Sequence, residues 1–266
     1  MKRLRIGDGQ STMDYFSSGG VRIAYFDQKP ETGEGMPVVL VHGFASTHRV
    51  NWIDTSWVST LNRAGYRVIA LDNRGHGQSD KLYDPEAYDP EIMAKDVIAL
   101  LDRLHIQRAD LIGYSMGARI SAMAALRFPD RVRAVILGGL GIHLVEGNGL
   151  PPGIAEALES EAPETLTDPT QRMFRLFAEK NGGDLKALAA CMRGSRRGLT
   201  AADVATLPMP VLVAVGSQDL IGGDPHRLAA LIPKGQAFVI EGRDHNLAVG
   251  DRTHKAAALE FLSHRP

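Results

Sequence analysis

Cysteine is nearly absent from this chain: there is one in 266 residues, so no disulfide can form within it. Neither sign of charge is in excess, with 30 Lys and Arg against 31 Asp and Glu and a net charge of −1. That balance excludes the basic footprint by which proteins hold nucleic acid or an anionic membrane. Long apolar runs are missing too. The longest is six residues, 187–192, far short of a bilayer-spanning helix. Internal repeats and low-complexity tracts do not occur, and 44% apolar with 23% charged residues excludes disordered, collagen-like and coiled-coil chains. The first residues, Met1-Lys2-Arg3-Leu4-Arg5-Ile6, are basic, but Gly7-Asp8-Gly9-Gln10 stands where a secretory signal would need an apolar stretch. The expectation is a cytoplasmic protein of one large domain or two small ones.

Cofactor fingerprints are also missing. No Walker-type or dinucleotide motif occurs, and no His, Cys, Asp and Glu residues fall at zinc-ligand spacing, so neither a cofactor nor a metal is expected. The lone Cys191 lies in the apolar run Leu188-Ala189-Ala190-Cys191-Met192 and reads as a buried structural thiol rather than a nucleophile.

What is present is an alternation of two hydrophobic grammars. Segments 38–41, 68–71, 135–137 and 211–215 are apolar throughout, which suits strands covered on both faces of a parallel sheet. Segments 109–113 and 238–240 are weaker versions. Between them, Met93, Val97, Leu100, Leu101 and Leu104 form one helical stripe, Ile120, Met123 and Ala124 a second, and Lys255, Ala258, Leu259 and Leu262 a third. Strands alternating with helices predict an α/β fold, a mostly parallel sheet flanked by helices. Ahead of it, residues 13–27 read as an antiparallel hairpin turning at Ser17-Ser18-Gly19-Gly20.

From residue 139 to 207 the strand signal stops. Helical pieces at 154–160, 171–180 and 185–192 predict an inserted helical segment that divides the core into 1–138 and 208–266. Its acids between Glu146 and Asp168, and its Arg193, Arg196 and Arg197, read as solvated faces. Its apolar positions (Ile154 and Leu158; Met173, Leu176 and Phe177; Leu185, Leu188 and Met192) require burial, and the carboxyl edge of the sheet adjoins both ends of the insertion. Met173 and Phe177 are therefore expected to wall a substrate pocket.

Gly113-Tyr114-Ser115-Met116-Gly117 follows one strand and opens a helix. In a G-x-S-x-G turn the serine occupies a strained strand-to-helix corner, flanking side chains must be absent, and Oγ projects above the sheet. His42-Gly43-Phe44 follows another strand, where a turn can aim the Phe44 N–H, together with that of Met116, at the oxygen of a tetrahedral intermediate. A serine nucleophile needs a base, and the base an orienting carboxylate. Asp219 ends the strand at 211–215 and His245 follows the one at 238–240, so Ser115, Asp219 and His245 are the candidate triad. Asp219 could instead cap the helix near Pro225, although Asp224 suits that role better. His42 and the members of Asp72-Asn73-Arg74-Gly75-His76-Gly77-Gln78-Ser79 read as loop-building, while His226, His254 and His264 sit on predicted helices or beside the C-terminus.

These blocks, in this order, resemble the α/β-hydrolase fold superfamily over residues 15–262. The resemblance implies an eight-stranded sheet with a helical cap between the sixth and seventh strands. It also implies Ser115 as nucleophile, Asp219 as acid and His245 as base. Two positions depart from the usual pattern: Ala118 and Asp244 stand where relatives commonly carry glycine. Similar haloalkane dehalogenases and epoxide hydrolases carry aspartate at the nucleophile position, so Ser115 argues against both. The expected activity is hydrolysis of a small-molecule carboxylic ester, with no nucleic acid or membrane partner. Alternatives are lactone or carbon–carbon bond hydrolysis by the same serine, and a catalytically weak ligand-binding protein on this scaffold.

Overall fold

The structure, a computed structural model, describes residues 13–147 and 152–264. The basic start of the chain, 1–10, lies outside them. Among the described residues there are eight strands: β1 (Asp14–Ser18), β2 (Val21–Gln28), β3 (Met36–Val41), β4 (Tyr66–Leu71), β5 (Ala109–Tyr114), β6 (Val132–Gly138), β7 (Val211–Gly216) and β8 (Gly235–Ile240). They form one sheet in the order β1-β2-β4-β3-β5-β6-β7-β8. β1–β2 and β2–β4 pair antiparallel and every later pair is parallel. The helices are α1 (Trp57–Arg63), α2 (Pro90–Arg103), α3 (Met116–Arg127), α4 (His143–Glu146), α5 (Ile154–Glu159), α6 (Pro169–Lys180), α7 (Leu185–Gly194), α8 (Ala201–Val204), α9 (Pro225–Leu231), α10 (His245–Ala248) and α11 (Arg252–His264).

The unbroken apolar runs are explained by two cores. Side chains alternate across a strand, so a strand covered on both faces needs apolar residues at every position. Val39, Val41, Ile69, Leu71, Leu111, Val135, Leu137, Val211 and Val213 enter the core on one face, shared with α2, α3 and α9. Val38, Leu40, Val68, Ala70, Ile112, Ala134, Ile136, Leu212 and Ala214 enter the other, closed by Trp57 and Leu61 of α1 and by Ala258, Phe261 and Leu262 of α11. α1 escaped the periodicity because its seven residues carry only two turns of pattern.

The hairpin is tighter than expected. Ser17 and Ser18 continue β1, Ser18 pairs with Val21, and the turn is Gly19-Gly20 alone. Both have positive φ, 56° and 83°, which a two-residue hairpin turn needs. Between β6 and β7 run α4 to α8, with residues 148–151 outside the described set. Arg175 ties α6 to the end of α5, donating to the carbonyls of Ala157, Leu158 and Ser160 at 2.9–3.0 Å. Arg193 of α7 pairs with Glu156 and Glu159. Leu176 corrects the expected apolar face, for it is 59% exposed while its neighbour Phe174 is buried. Cys191 is buried, and burial pushes its thiol up to about 12, as suits a structural role. No helix among the described residues is long and apolar enough to cross a membrane.

One buried ion pair braces the loop after β4. Arg74 and Asp96 are almost inaccessible and meet in two parallel hydrogen bonds of 2.7 Å, while Arg74 also donates to the Ala87 carbonyl. Removing one member strands a buried charge, so Asp96→Ala should cost ~3–5 kcal/mol. Urea unfolding would measure it; a loss below about 1 kcal/mol would show that water reaches Arg74.

Candidate active site

The corner between β5 and α3 is built by absence. A Cβ on Gly117 would lie 1.9 Å from the Val41 carbonyl oxygen, and one on Gly113 would lie 2.2 Å from that of Gly117. Only glycine lets the helix start that close to the sheet. Ser115 is forced to φ 55°, ψ −114°, a conformation non-glycine residues avoid. Its N–H donates to the Gly138 carbonyl at 2.8 Å, and its own carbonyl accepts from Ala118 and Arg119 at the start of α3.

Opposite the serine oxygen stands His245. Its Nε2 lies 2.9 Å from Ser115 Oγ, and its Nδ1 lies 2.8 Å from Asp219 Oδ2. Asp219 is buried and turns its other oxygen to the N–H groups of Ile221 and Gly222, both at 2.9 Å. It therefore does not cap α9; Asp224 does, accepting from His226 and Arg227. The departure at Asp244 has a structural reason. Asp244 is the N-cap of α10, accepting from Asn246 and Leu247 at 3.0 and 2.8 Å, and its ordinary extended backbone needs no glycine. Tyr114 contributes something the motif did not reveal: its hydroxyl donates to the His245 carbonyl at 2.5 Å.

The turn after β3 faces the same point. Phe44 and Met116 are both buried, and among the described residues no backbone carbonyl accepts either N–H. The turn is held on three sides. Gly43 N–H donates to Asn51 Oδ1 at 2.7 Å, Ala45 N–H donates to His76 Nε2 at 3.1 Å, and the Ala45 carbonyl accepts from Asn181 Nδ2 at 3.2 Å. Ala45 itself has φ 55°. His42 is loop-building as expected, its Nε2 accepting from Asn73 N–H. Asp72 accepts from the His48 backbone and ring and from Gln78 N–H. Burial would raise its carboxyl, but the bonds and charge of His48 outweigh that and hold it at about 2. No group of three or more His, Cys, Asp or Glu side chains gathers as a metal site among the described residues.

A cavity of about 200 Å³ opens at Ser115. Met173, Phe174 and Phe177 of α6 form its wall, so the two expected side chains are joined by Phe174, whose ring lies 6.1 Å from that of Phe44. A larger groove of about 630 Å³ runs beside β8 and α11, lined by Lys234, Phe238 and Phe261, away from these side chains. Of the other histidines, His254 is buried against Trp57, while His226 and His264 are exposed.

This sheet and corner define an α/β protein, with the Ser–His–Asp line as a candidate site at the carboxyl edge of a mostly parallel sheet. A family model described as alpha/beta hydrolase fold matches residues 36–185, more than half of the chain, and the chain belongs to that family. It is 36% identical over 119 residues to bifunctional epoxide hydrolase 2 from Sus scrofa, a match covering 44% of this chain and only 20% of that protein's length. It is 28% identical to the non-heme chloroperoxidase CPO-A1 from Kitasatospora aureofaciens, covering 92% of this chain and 97% of the other. Among solved structures, a hydrolase from Pseudomonas aeruginosa PA01 superposes with a TM-score of 0.76 at 23% identity, covering 96% and 99% of the two chains.

The buried histidines make the fold acid-sensitive. Burial lowers His42, His76 and His254 from 6.5 to about 4, 3 and 4. Below pH 6.5 the unfolded chain takes up protons that the native state refuses. Their contribution is thus complete above pH 6.5 and lost as pH falls toward 4. The urea midpoint should decline across that window, and a flat profile would mean that these rings ionise without unfolding.

Proposed function

We propose that the protein is a serine hydrolase that cleaves a carboxylic ester through an acyl-enzyme. The observation that carries this reading is the unbroken line Asp219–His245–Ser115, with two hydrogen bonds of 2.8 and 2.9 Å. Asp219 accepts the Nδ1 proton of His245, which leaves Nε2 as the base. As Oγ attacks the ester carbonyl, its proton passes to Nε2, and the carbonyl oxygen takes its charge toward the Phe44 and Met116 N–H groups. His245 then protonates the departing alcohol. A water molecule, deprotonated by the same Nε2, releases the acid and restores Ser115.

In this reading residues 139–207 act as a cap between core segments 1–138 and 208–266, with Met173 and Phe177 as the apolar side of the substrate pocket. Epoxide hydrolase activity, which the name of the Sus scrofa relative carries, is disfavoured by a serine where similar epoxide hydrolases carry aspartate.

Ser115→Ala and His245→Ala should each lower kcat/KM for a p-nitrophenyl ester on the order of 10⁴-fold or more with folding retained, and Asp219→Asn somewhat less. A fluorophosphonate probe should add one label at Ser115, read by intact mass. No label and no ester turnover would remove the esterase reading and favour a binding protein on this scaffold. Phe177→Ala should alter the ranking of acyl chain lengths by roughly ten- to two-hundredfold at most, each pocket methylene being worth ~1–3 kcal/mol. An unchanged ranking would place specificity outside α6.

A further inference from the structure

The reaction pocket has polar groups that the ester mechanism leaves unused, and they identify the acyl group. This step rests on the ester-hydrolase reading above. At about 200 Å³ the pocket is smaller than those that hold drug-sized ligands, and no Lys, Arg, Asp or Glu lines it. A short, uncharged group fits. A carboxylate would be buried there without a cation, at heavy desolvation cost.

The wall is not wholly apolar. Asn51 is 7% exposed and accepts the Gly43 N–H with Oδ1. Because that partner is a donor, the amide oxygen faces it and the NH₂ is turned away from it. Among the described residues this NH₂ has no hydrogen-bond partner. Ser46 is 3% exposed, lines the same pocket, and its buried hydroxyl is likewise unpaired. Buried hydroxyls are nearly always satisfied in native proteins, so the unpaired Ser46 hydroxyl, lining one pocket with an amide NH₂ that no protein group takes, points to a ligand atom that meets them. They also lie beside the chemistry. A Cβ on Gly43 would stand 3.5 Å from Ser115 Cβ and 3.6 Å from Asn51 Oδ1, so one glycine separates the nucleophile from the amide.

We propose that the acyl group is short and uncharged and carries an oxygen acceptor next to the ester carbonyl, as in α-alkoxy, α-hydroxy or α-keto acids. The Asn51 NH₂ and the Ser46 hydroxyl receive that oxygen. Apolar chains of the same length enter the pocket but leave both donors stranded, which costs transition-state binding.

The test compares p-nitrophenyl methoxyacetate with p-nitrophenyl butyrate, which differ by one oxygen in place of one methylene. The ratio of their kcat/KM values is divided by the ratio of their hydroxide hydrolysis rates, which removes intrinsic reactivity. The corrected ratio should favour methoxyacetate roughly five- to tenfold, the worth of about one net hydrogen bond. It should fall toward one in Ser46→Ala or in Asn51→Asp, which keeps an oxygen for Gly43 but loses the NH₂. Each ratio is taken within one protein, so any loss common to both esters cancels. As a readout without turnover, saturation-transfer NMR on Ser115→Ala should show methyl methoxyacetate held more tightly than methyl butyrate, and the added Ser46→Ala change should erase the difference. A corrected ratio of one or less in the unaltered protein, or a ratio unmoved by both substitutions, overturns the proposal while leaving the esterase standing. Turnover of neither ester, with Ser115 unlabelled by fluorophosphonate, overturns both.

Discussion

The site depends on one close approach. The first turn of α3 sits so near β3 that a single methyl group at Gly117 would collide with the Val41 carbonyl. This contact fixes where the helix begins, and the beginning of the helix fixes the corner at Ser115. The strain of φ 55° at that residue persists because both sides of the corner are over-determined. β5 is hydrogen-bonded between β3 and β6 in the sheet, and α3 is buried along most of its length. A corner held that rigidly keeps the serine oxygen within hydrogen-bond distance of His245, so the reaction proposed above would carry no ordering cost there.

The turn after β3 is supported by a different physics. At Gly43 and Ala45 its partners are a neutral ring and two amides. His76 can accept the Ala45 N–H at Nε2 only while unprotonated there, and burial keeps it so. Donors aimed at a developing negative charge are most effective when fixed in advance and shielded from water. For the reaction proposed above that shielding would come from burying His42 and His76, whose rings lie 5.2 Å apart, with acid sensitivity as the consequence.

The helical segment between β6 and β7 does more than cover the pocket. Asn181, just past α6, hydrogen-bonds the Ala45 carbonyl, and Phe174 packs against Phe44. The wall of the pocket and the turn beneath it are thus in direct contact. A change in α6 that shifts the wall also shifts the peptide that carries the Phe44 N–H.

Much of this was determined by the sequence itself. Apolar runs without alternation require two-sided burial, and so a parallel sheet between two helical layers. Gly113 and Gly117 around Ser115 require a corner where side chains cannot fit. Asp219 and His245 at strand ends follow from the same pattern, because the carboxyl edge gathers what successive strands deliver. Other features were decided only by tertiary structure. Asn51, Tyr114 and Asn181 carry no local signal, since each acts on a backbone group of a distant segment: Gly43, His245 and Ala45 respectively. The phase of α6 was misread at Leu176 because helical spacing gives a stripe but not what the stripe faces. Phe174 is buried where its ring meets Phe44 of the turn after β3, and Leu176 meets solvent. Periodicity is a property of one segment, whereas a pocket wall is a property of several. Only their packing selects which of several apolar side chains looks inward.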